Sequence, residues 1–335
     1  MLKSARITWR FASALVVTCA LTVPLRAEVS EVRISKQYGL PYLSLAVVEQ
    51  NRLIEKYAKA LGLGDIQVNW VTIGSGGTST DSLLAGDLDL VSSGMSNMLL
   101  LWSRTGGQVK AVGVTGTVPL LLLTRNPNVR TIADLTEIDR IAVPTVKVSM
   151  QSTILGIAAE KMYGPAGRGK FDPRTVAMAH PDATIALLSG GEINNHFSVP
   201  PYQYQELKAP GVRVLLDSTE VMGGPATITV LFGTVKFHDA NPKLMAAIYA
   251  ALGEAMEFIA KNKRAAAEIY LQASKDKIDL EELTSMLDKP GFVFTVAPNG
   301  TLRYAEQMFN TGVIKTKPAS WKEVFFAEAQ TLPGN

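Results

Sequence analysis

Strand-like and helix-like stretches alternate along most of this chain, and that alternation restricts the folds it can adopt. Residues 31–35 and 67–73 have the apolar and β-branched composition of strands. Between them, 42–61 carries apolar residues at helical spacing, and Gly62 follows as a helix terminator. A chain that alternates strands with helices in this way is predicted to be α/β.

The rest of the chain continues the pattern. Further strands are predicted at 88–91, 109–114, 120–124, 140–143, 176–178, 192–196 and 227–237. Helices are predicted at 78–85, 95–103, 149–163, 182–188 and 242–261, and they fill most of the remainder as far as Phe326. Ser149 is expected to cap its helix, and Pro242 occupies the first position of another.

The N-terminal 27 residues have the order of a secretory signal. Three basic residues in the first ten lead into a short apolar run from Phe11 to Pro24, and the stretch closes at Ala27. The apolar run is too short for a membrane span, which needs about 20 residues. The chain is therefore expected to be exported to the periplasm, with cleavage after Ala27.

Charge and cysteine content exclude several classes of function. The whole chain has 33 basic and 30 acidic residues, but four of the basic ones lie in the leader. The mature chain is nearly neutral, which gives no electrostatic case for nucleic acid binding. The one cysteine, Cys19, also lies in the leader, so no disulfide, thiolate metal site or cysteine nucleophile is expected. Lipidation of Cys19 is an alternative, although Thr18 stands where a lipobox has Gly or Ala.

The mature length of about 308 residues suits two lobes better than one core. No Pro/Ser-rich linker divides the chain, so strand-like crossings at 116–123 and 223–229 are the candidate connections. Two crossings place the middle third in one lobe and both ends in the other. The predicted limits are 1–27 for the leader, 28–119 and 226–335 for lobe I, and 120–225 for lobe II.

Three loops rich in Gly, Ser and Thr follow predicted strands and open helices, at 74–80, 92–97 and 144–151. The free N–H groups of such helix starts suit a small anion, and in open α/β sheets ligands bind at the carboxyl ends of strands. These residue types are also ordinary turn and cap residues in any α/β protein, so the loops alone leave both interpretations open.

Motifs of catalysis are not found in the sequence. There is no dinucleotide or phosphate-loop glycine spacing, no His-Glu-x-x-His and no Gly-x-Ser-x-Gly. His180, His196 and His238 are scattered, and each is expected to be structural or on the surface. Asp87 and Asp89 are expected to form a turn. The sequence therefore lacks a nucleophile, a metal site and a convincing acid/base pair.

The two most characteristic stretches are 83–94, Leu-Leu-Ala-Gly-Asp-Leu-Asp-Leu-Val-Ser-Ser-Gly, and 131–144, and the stretches 146–151 and 312–325 accompany them. In their order and spacing these stretches resemble the substrate-binding proteins of ABC importers of the nitrate/sulfonate/taurine type. The likeness covers nearly all of the mature chain. It implies a two-lobed type II periplasmic binding fold with two crossover strands and a hinge. It also implies a small solute held between the lobes and delivered to ABC permease transmembrane subunits.

The resemblance also implies where the ligand is held. The family's contacting loops fall on Gln37, Tyr38, Gly74, Ser75, Gly76, Gly94, Ser96, Thr115, Ser149, Met150, Gln151, Asn195, His196 and Thr227, with Phe197 as a further apolar wall residue. No cofactor, no metal and no catalytic residue is expected, and the protein is expected to be a monomer.

This chain departs from the pattern of an oxyanion specialist, because no arginine lies in those loops. Lys147 is near but is free to point elsewhere. The solute is left open between the sulfonate, taurine and nitrate class and an aromatic or pyrimidine-like compound. Two other functions remain: a ligand-sensing subunit for a membrane kinase, and an enzyme of the thiamine-pyrimidine-synthesis type on the same scaffold. The enzyme family uses a cysteine-rich segment that the mature chain lacks.

Overall fold

The computed structural model describes residues 27–335, and it is built from ten strands and thirteen α-helices within that range. The strands are Glu31–Lys36 (β1), Gln67–Thr72 (β2), Leu90–Gly94 (β3), Val109–Gly116 (β4), Leu121–Thr124 (β5), Ile141–Val143 (β6), Thr175–Ala177 (β7), Asn195–Ser198 (β8), Arg213–Asp217 (β9) and Thr229–Thr234 (β10). The predicted leader, apart from Ala27, lies outside the described residues.

Most helices connect consecutive strands, and five follow one another after β10. They are Leu43–Gln50 (α1), Leu53–Ala60 (α2), Gly76–Ala85 (α3), Met95–Arg104 (α4), Met150–Tyr163 (α5), His180–Ser189 (α6), Tyr202–Glu206 (α7), Ser218–Met222 (α8), Val235–Ala240 (α9), Pro242–Lys261 (α10), Lys263–Ser274 (α11), Leu280–Met286 (α12) and Thr301–Asn310 (α13). None of the helices in this part of the chain is long and apolar enough to cross a membrane.

The strands form two five-stranded sheets of the same design. The first has the order β2-β1-β3-β10-β4 and the second the order β7-β6-β8-β5-β9. In each sheet the second strand pairs in parallel with its two neighbours, and the fourth strand pairs antiparallel with both of its own. The fold is therefore α/β with two lobes, as the sequence analysis predicts.

The chain passes between the sheets twice, from β4 to β5 and from β9 to β10. The two crossings are bonded to each other. Leu120 donates its backbone N–H to the Ser218 hydroxyl at 2.8 Å, and the Ser218 N–H donates to the Leu120 carbonyl at 2.9 Å. The side chain of Gln203 bonds the backbone of Pro119 and Leu121 from the second lobe. The exact lobe limits given above remain a prediction.

Apolar packing joins the lobes as well as filling each one. One buried cluster includes Met98 and Leu99 of α4 in the first lobe and Met150 and Ile154 of α5 in the second. Helix α13 packs against both α4 and α5 and so bridges the two. A second cluster lies among α1, α2, α10 and α11 on the far face of the first sheet. The junction between the lobes is thus mostly closed, and the polar loops are concentrated at one side of it.

Two predicted elements differ from the observed ones for local reasons. The single helix predicted at 42–61 is divided, because Arg52 adopts a left-handed conformation with φ of 48° between α1 and α2. The strand predicted at 227–237 is shorter, because the Thr234 hydroxyl accepts the N–H of Phe237 at 3.1 Å and starts α9. The predicted cap at Ser149 is confirmed, since its hydroxyl accepts the N–H of Ser152 at 3.3 Å.

Gly116 lies at the start of the first crossing, and a substitution there tests how tightly the crossing is packed. A Cβ at this position would lie 2.7 Å from the Thr229 hydroxyl and 2.8 Å from the Pro41 Cα, and it would also contact the Pro41 carbonyl. We expect Gly116→Ala to lower the free energy of unfolding by about 1–3 kcal/mol, as overpacking does. Urea unfolding measures this.

Gly253 in the middle of α10 is the matched control. Its added Cβ would meet no atom within 4 Å. Gly253→Ala should therefore be neutral or stabilise by up to about 1 kcal/mol through helix propensity. Equal stability of the two variants would contradict the tight crossing.

Candidate functional site

The starts of four helices meet where the two lobes face each other. Helices α3 and α4 come from the first lobe, and α5 and α6 come from the second. A Cβ on Gly94, before α4, would lie 2.9 Å from the Met150 side chain of α5. A Cβ on Gly74, before α3, would lie 3.0 Å from that of Ala179, before α6. The Gly/Ser/Thr loops singled out in the sequence are therefore adjacent in space.

Direct hydrogen bonds close the lobes over this region. The N–H of Leu40 donates to the Pro200 carbonyl at 2.8 Å, and the N–H of Gly77 donates to the Thr145 hydroxyl at 3.3 Å. Gly39 allows the first contact, because a Cβ there would lie 2.9 Å from the Pro200 carbonyl oxygen. The cleft is thus in a closed form.

A narrow cavity of about 30 Å³ remains between the lobes. Both lobes contribute to its wall: Gln37, Tyr38, Pro41, Tyr42, Gly94, Ile228 and Thr229 from the first, and Pro144, Ser149, Met150, Gln151, His180 and Val199 from the second. An adjoining cavity of about 80 Å³ shares Gln37, Tyr38 and Tyr42 with it and adds Tyr202 and Tyr270. The cavities hold a few water molecules at most, so a solute enters only when the lobes separate or the side chains move.

On the first lobe, a chain of buried hydroxyl groups supports the cavity wall. The Ser92 and Thr115 hydroxyls lie 3.0 Å apart, and Thr115 donates to the Thr229 hydroxyl at 2.9 Å. Thr229 in turn donates to the Pro41 carbonyl at 3.0 Å. These bonds satisfy groups that would be costly to bury alone, and they fix strands β3, β4 and β10 against the loop after β1.

Gln37 projects from that loop toward the neighbouring strand. Its amide nitrogen donates to the Ser93 hydroxyl at 2.9 Å and approaches the Ser92 carbonyl at 3.5 Å. Its carbonyl oxygen takes part in neither of these two bonds. The side chain is therefore held in place at the cavity wall while one polar end remains to meet a solute.

The side chain of Met150, the first residue of α5, lies against the start of helix α4. Both the backbone N–H and the hydroxyl of Ser96 donate to the Met150 sulfur at 3.2 Å, and all of these groups are buried. A thioether is a weak acceptor. The N–H at the positive end of α4 therefore has a poor partner, which a carboxylate, sulfonate or nitrate oxygen would improve on.

On the second lobe, four side chains form a buried polar chain that we call the histidine relay: Gln151, His180, His196 and Glu206. Gln151 Nε2 lies 3.3 Å from His180 Nε2, and His180 Nδ1 lies 2.9 Å from His196 Nε2. His196 Nδ1 then lies 2.7 Å from the Glu206 carboxylate. Burial, and next the proximity of His196, lower the pKa of His180 well below its usual value.

Aromatic side chains form much of the remaining wall. Tyr202 stacks on His180 with ring centres 6.2 Å apart, and it faces Tyr38 and Tyr42 across the cleft. Burial raises the pKa of Tyr42 and of Tyr202, so both are uncharged phenols at neutral pH. Lys36 lines the larger cavity but not the smaller one, and it pairs with Glu49.

The structure distributes the predicted site residues into three groups. Gln37, Tyr38, Gly94, Ser149, Met150 and Gln151 line the smaller cavity. Gly74, Ser75, Gly76 and Ser96 lie beside it, at the helix starts. Thr115, Asn195, His196, Phe197 and Thr227 do not line it. Ligand contact by any of these residues stays a prediction.

The third group makes internal bonds instead. Thr115 belongs to the hydroxyl chain, and His196 lies behind His180 in the relay. Thr227 accepts the N–H of Asn299 at 2.9 Å. Asn195 donates to the Asn194 side chain at 2.7 Å, and the ring of Phe197 is fully buried in the core.

Sequence reasoning missed His180, Tyr202 and Thr229 as cavity residues. His180 was expected to be structural or on the surface, yet it starts the helix that follows β7, the same kind of position as Ser149 after β6. That topological equivalence was the available signal. Tyr202 follows Pro200 and Pro201, and it lines the larger cavity opposite Tyr38 and Tyr42 of the first lobe.

The residues described offer little for metal or nucleophilic chemistry. Within 27–335, no group of three or more His, Cys, Asp and Glu side chains is arranged to hold a metal ion. The ring nitrogen of His180 nearest the cleft bonds an amide, Gln151, rather than a hydroxyl nucleophile. The arrangement can bind a polar solute through donors, acceptors and aromatic surfaces.

The sequence matches no protein-family model and no curated protein. Solved structures are nevertheless similar over most of the chain. The alkanesulfonate-binding protein SsuA from Xanthomonas axonopodis pv. citri, bound to MOPS, is 18% identical with a TM-score of 0.69, and the match covers 90% of this chain and 98% of that one. The periplasmic aliphatic sulphonate binding protein SsuA from Escherichia coli is 19% identical with a TM-score of 0.64, covering 91% and 100%.

A third similar structure is the periplasmic nitrate-binding protein NrtA from Synechocystis PCC 6803. It is 15% identical with a TM-score of 0.60, and the match covers 76% of this chain and 69% of that one. At these identities the likeness establishes the fold, which is that of periplasmic binding proteins. The similar structures are of the kind that the sequence motifs indicated.

The hydroxyl chain makes a testable contribution to stability. Thr229→Val keeps the shape of the side chain but removes the donor to the Pro41 carbonyl and the acceptor for the Thr115 hydroxyl, which is left with Ser92 alone. We expect a loss of about 1–3 kcal/mol in the free energy of unfolding, as for buried groups left unpaired. Thr331→Val is the control, because Thr331 is exposed and should change stability by no more than about 0.5 kcal/mol. Equal effects in urea unfolding would argue against the chain.

Proposed function

We propose that this protein is the periplasmic solute-binding component of an ABC importer. It holds one small solute between its two lobes and presents it to the transmembrane permease subunits, without turnover. The observation that carries the proposal is the closed cleft, in which loops from both lobes surround one cavity. The fold shared with sulfonate- and nitrate-binding proteins supports it.

The geometry suits capture by closure. Each lobe contributes helix starts and polar side chains to the same small space, so a solute that bonds both lobes stabilises the closed form over an open one. The interlobe bonds at Leu40 and Gly77 are single hydrogen bonds, which separation of the lobes would break. A hinge at the two crossings between the sheets would allow the lobes to separate.

The side chains favour a small solute with hydrogen-bond acceptors and an apolar part. Ser96 supplies donors at the start of α4, and Gln37 and Gln151 supply amides from opposite lobes. Tyr38, Tyr42 and Tyr202 provide aromatic surface. We infer an organic oxyanion, such as a sulfonate or carboxylate, as the solute class, and we propose Gln37, Tyr38, Gln151 and His180 as its contacts.

A thermal-shift screen tests the binding function. The screen contains alkanesulfonates, taurine, nitrate, aromatic acids and pyrimidines. One class should raise the melting temperature, because a ligand present at 100 times its dissociation constant adds about 2.7 kcal/mol to stability. The stabilising compound should be recovered unchanged. If no compound stabilises the protein, or if one is consumed, the binding proposal is wrong.

Tyr38→Ala tests whether binding occurs in the cleft. Tyr38 lines both cavities, and its ring is 40% exposed. Removing the ring should weaken binding of the stabilising compound about two- to tenfold, since an aromatic contact is worth about 0.5–1.5 kcal/mol. Calorimetric titration measures the change.

Tyr163→Ala is the matched control for this substitution. Tyr163 is 38% exposed and lies at the end of α5, away from both cavities. Its removal should leave the affinity unchanged. Equal affinities for the two variants would place the site elsewhere.

A further inference from the structure

The histidine relay continues behind Gln151 and His180, the two of its members that we propose as solute contacts. It runs from the cavity wall at Gln151 and His180 to Glu206, deep in the second lobe. His196 and Glu206 are fully buried, and His180 is 7% exposed. One carboxylate oxygen of Glu206, Oε2, accepts no hydrogen bond within residues 27–335. A buried ionisable chain of this kind calls for a role beyond packing.

An ionised Glu206 determines where the protons of the relay lie. Its Oε1 accepts from the Thr184 hydroxyl at 2.5 Å and from His196 Nδ1 at 2.7 Å. A neutral His196 that donates from Nδ1 has a lone pair on Nε2, so His180 must donate from its own Nδ1. His180 then presents a lone pair on Nε2 at the cleft, where the Gln151 amide N–H donates to it.

One added proton reverses this pattern. A proton that arrives from the cleft binds His180 Nε2, and the Nδ1 proton of His180 passes to His196 Nε2. His196 is then an imidazolium that donates to Glu206 from one nitrogen and to His180 from the other. His180 is neutral again, but its proton now lies on Nε2 and faces the cleft. The relay changes from an acceptor to a donor by gaining one proton.

The ionisable groups close to His180 are a second histidine, three tyrosines and one aspartate. His180 is contacted by His196 of β8 and stacks on Tyr202 of α7. The other ionisable groups near it are Asp182 in the first turn of α6, and Tyr38 and Tyr42 across the cleft. Burial raises the pKa of Tyr202, and of two groups in the first lobe, Asp276 raises it further while a hydrogen bond with Tyr270 lowers it.

Among the described residues that line the smaller cavity, none is a lysine or an arginine. A bound oxyanion would therefore meet uncharged side chains such as Gln37, helix starts, and a relay whose net charge is negative while Glu206 is ionised and both histidines are neutral. Uptake of one proton removes that net charge and supplies a donor. We infer that the cleft binds its oxyanion together with one proton, which the His180–His196–Glu206 chain takes up. This inference rests on the proposed function.

Calorimetric titration with ethanesulfonate, nitrate and benzoate between pH 5.5 and 8 tests the coupling. Imidazole and bis-tris buffers are used, because sulfonate buffers would compete. The number of protons absorbed, from the dependence of the heat on buffer ionisation, should be close to one per anion at neutral pH. By linkage, the dissociation constant should then fall about tenfold for each pH unit of acidification.

The outcomes separate the two proposals. Anion binding with no proton uptake, or with proton release, overturns the coupling and leaves solute capture intact. Binding of neutral solutes only, with none of the three anions bound at any pH, also overturns the coupling. Failure of every solute class in the thermal-shift screen overturns the proposed function itself.

Glu206→Gln identifies the group that the coupling depends on. The amide has the shape of the carboxylate but cannot pair with an imidazolium, so proton uptake should fall to near zero and the pH dependence of the affinity should flatten. Glu282→Gln is the control, because Glu282 pairs with Lys208 on the surface and should leave uptake unchanged. His180→Gln, nearer the cleft, should give the same loss as Glu206→Gln and provides the test if Glu206→Gln fails to fold. Full proton uptake in either relay variant would contradict the inference.

Discussion

Polar groups from two lobes are buried at one junction, and the need to give each of them a partner shapes the whole site. Helix starts from both lobes meet there, and the hydroxyls of Ser92, Thr115 and Thr229 and the carboxylate of Glu206 are buried. An unpaired buried polar group costs about 1–3 kcal/mol. The protein meets this need on the first lobe with the hydroxyl chain through Thr115 and Thr229, and on the second with the histidine relay.

Some of these hydrogen bonds are weaker than others, and the weak ones identify where a solute would bind. The Ser96 N–H bonds a thioether, Gln37 uses only its amide nitrogen, and Gln151 meets His180 at 3.3 Å. Oxyanion oxygens would form stronger bonds to such donors than sulfur does. The same groups that hold the cleft closed can therefore exchange their partners for a solute, which links closure to binding.

The sequence predicted the fold well because the information for it is local and periodic. The alternation of elements, the cap at Ser149 and the two crossings all follow from short stretches of sequence. The divided helix at Arg52 and the early end of β10 at Thr234 depend on single backbone conformations and were not predicted.

The site was only partly predictable, for a physical reason. Loops that open helices can be recognised from Gly, Ser and Thr, and six of the predicted residues line the smaller cavity. His180 opens a helix without belonging to a Gly/Ser/Thr loop. Tyr202 lines the adjoining larger cavity opposite Tyr38 and Tyr42 of the other lobe, a long-range contact that no local pattern encodes. The relay joins Gln151 of α5, His180 of α6, His196 of β8 and Glu206 of α7, and their spacing in sequence follows no motif.

A crystal structure of the protein with a stabilising solute tests the central claim most directly. The account predicts electron density for the solute between Gln37 and Gln151, in contact with both lobes. Density on an outer surface, or on one lobe alone, would contradict it.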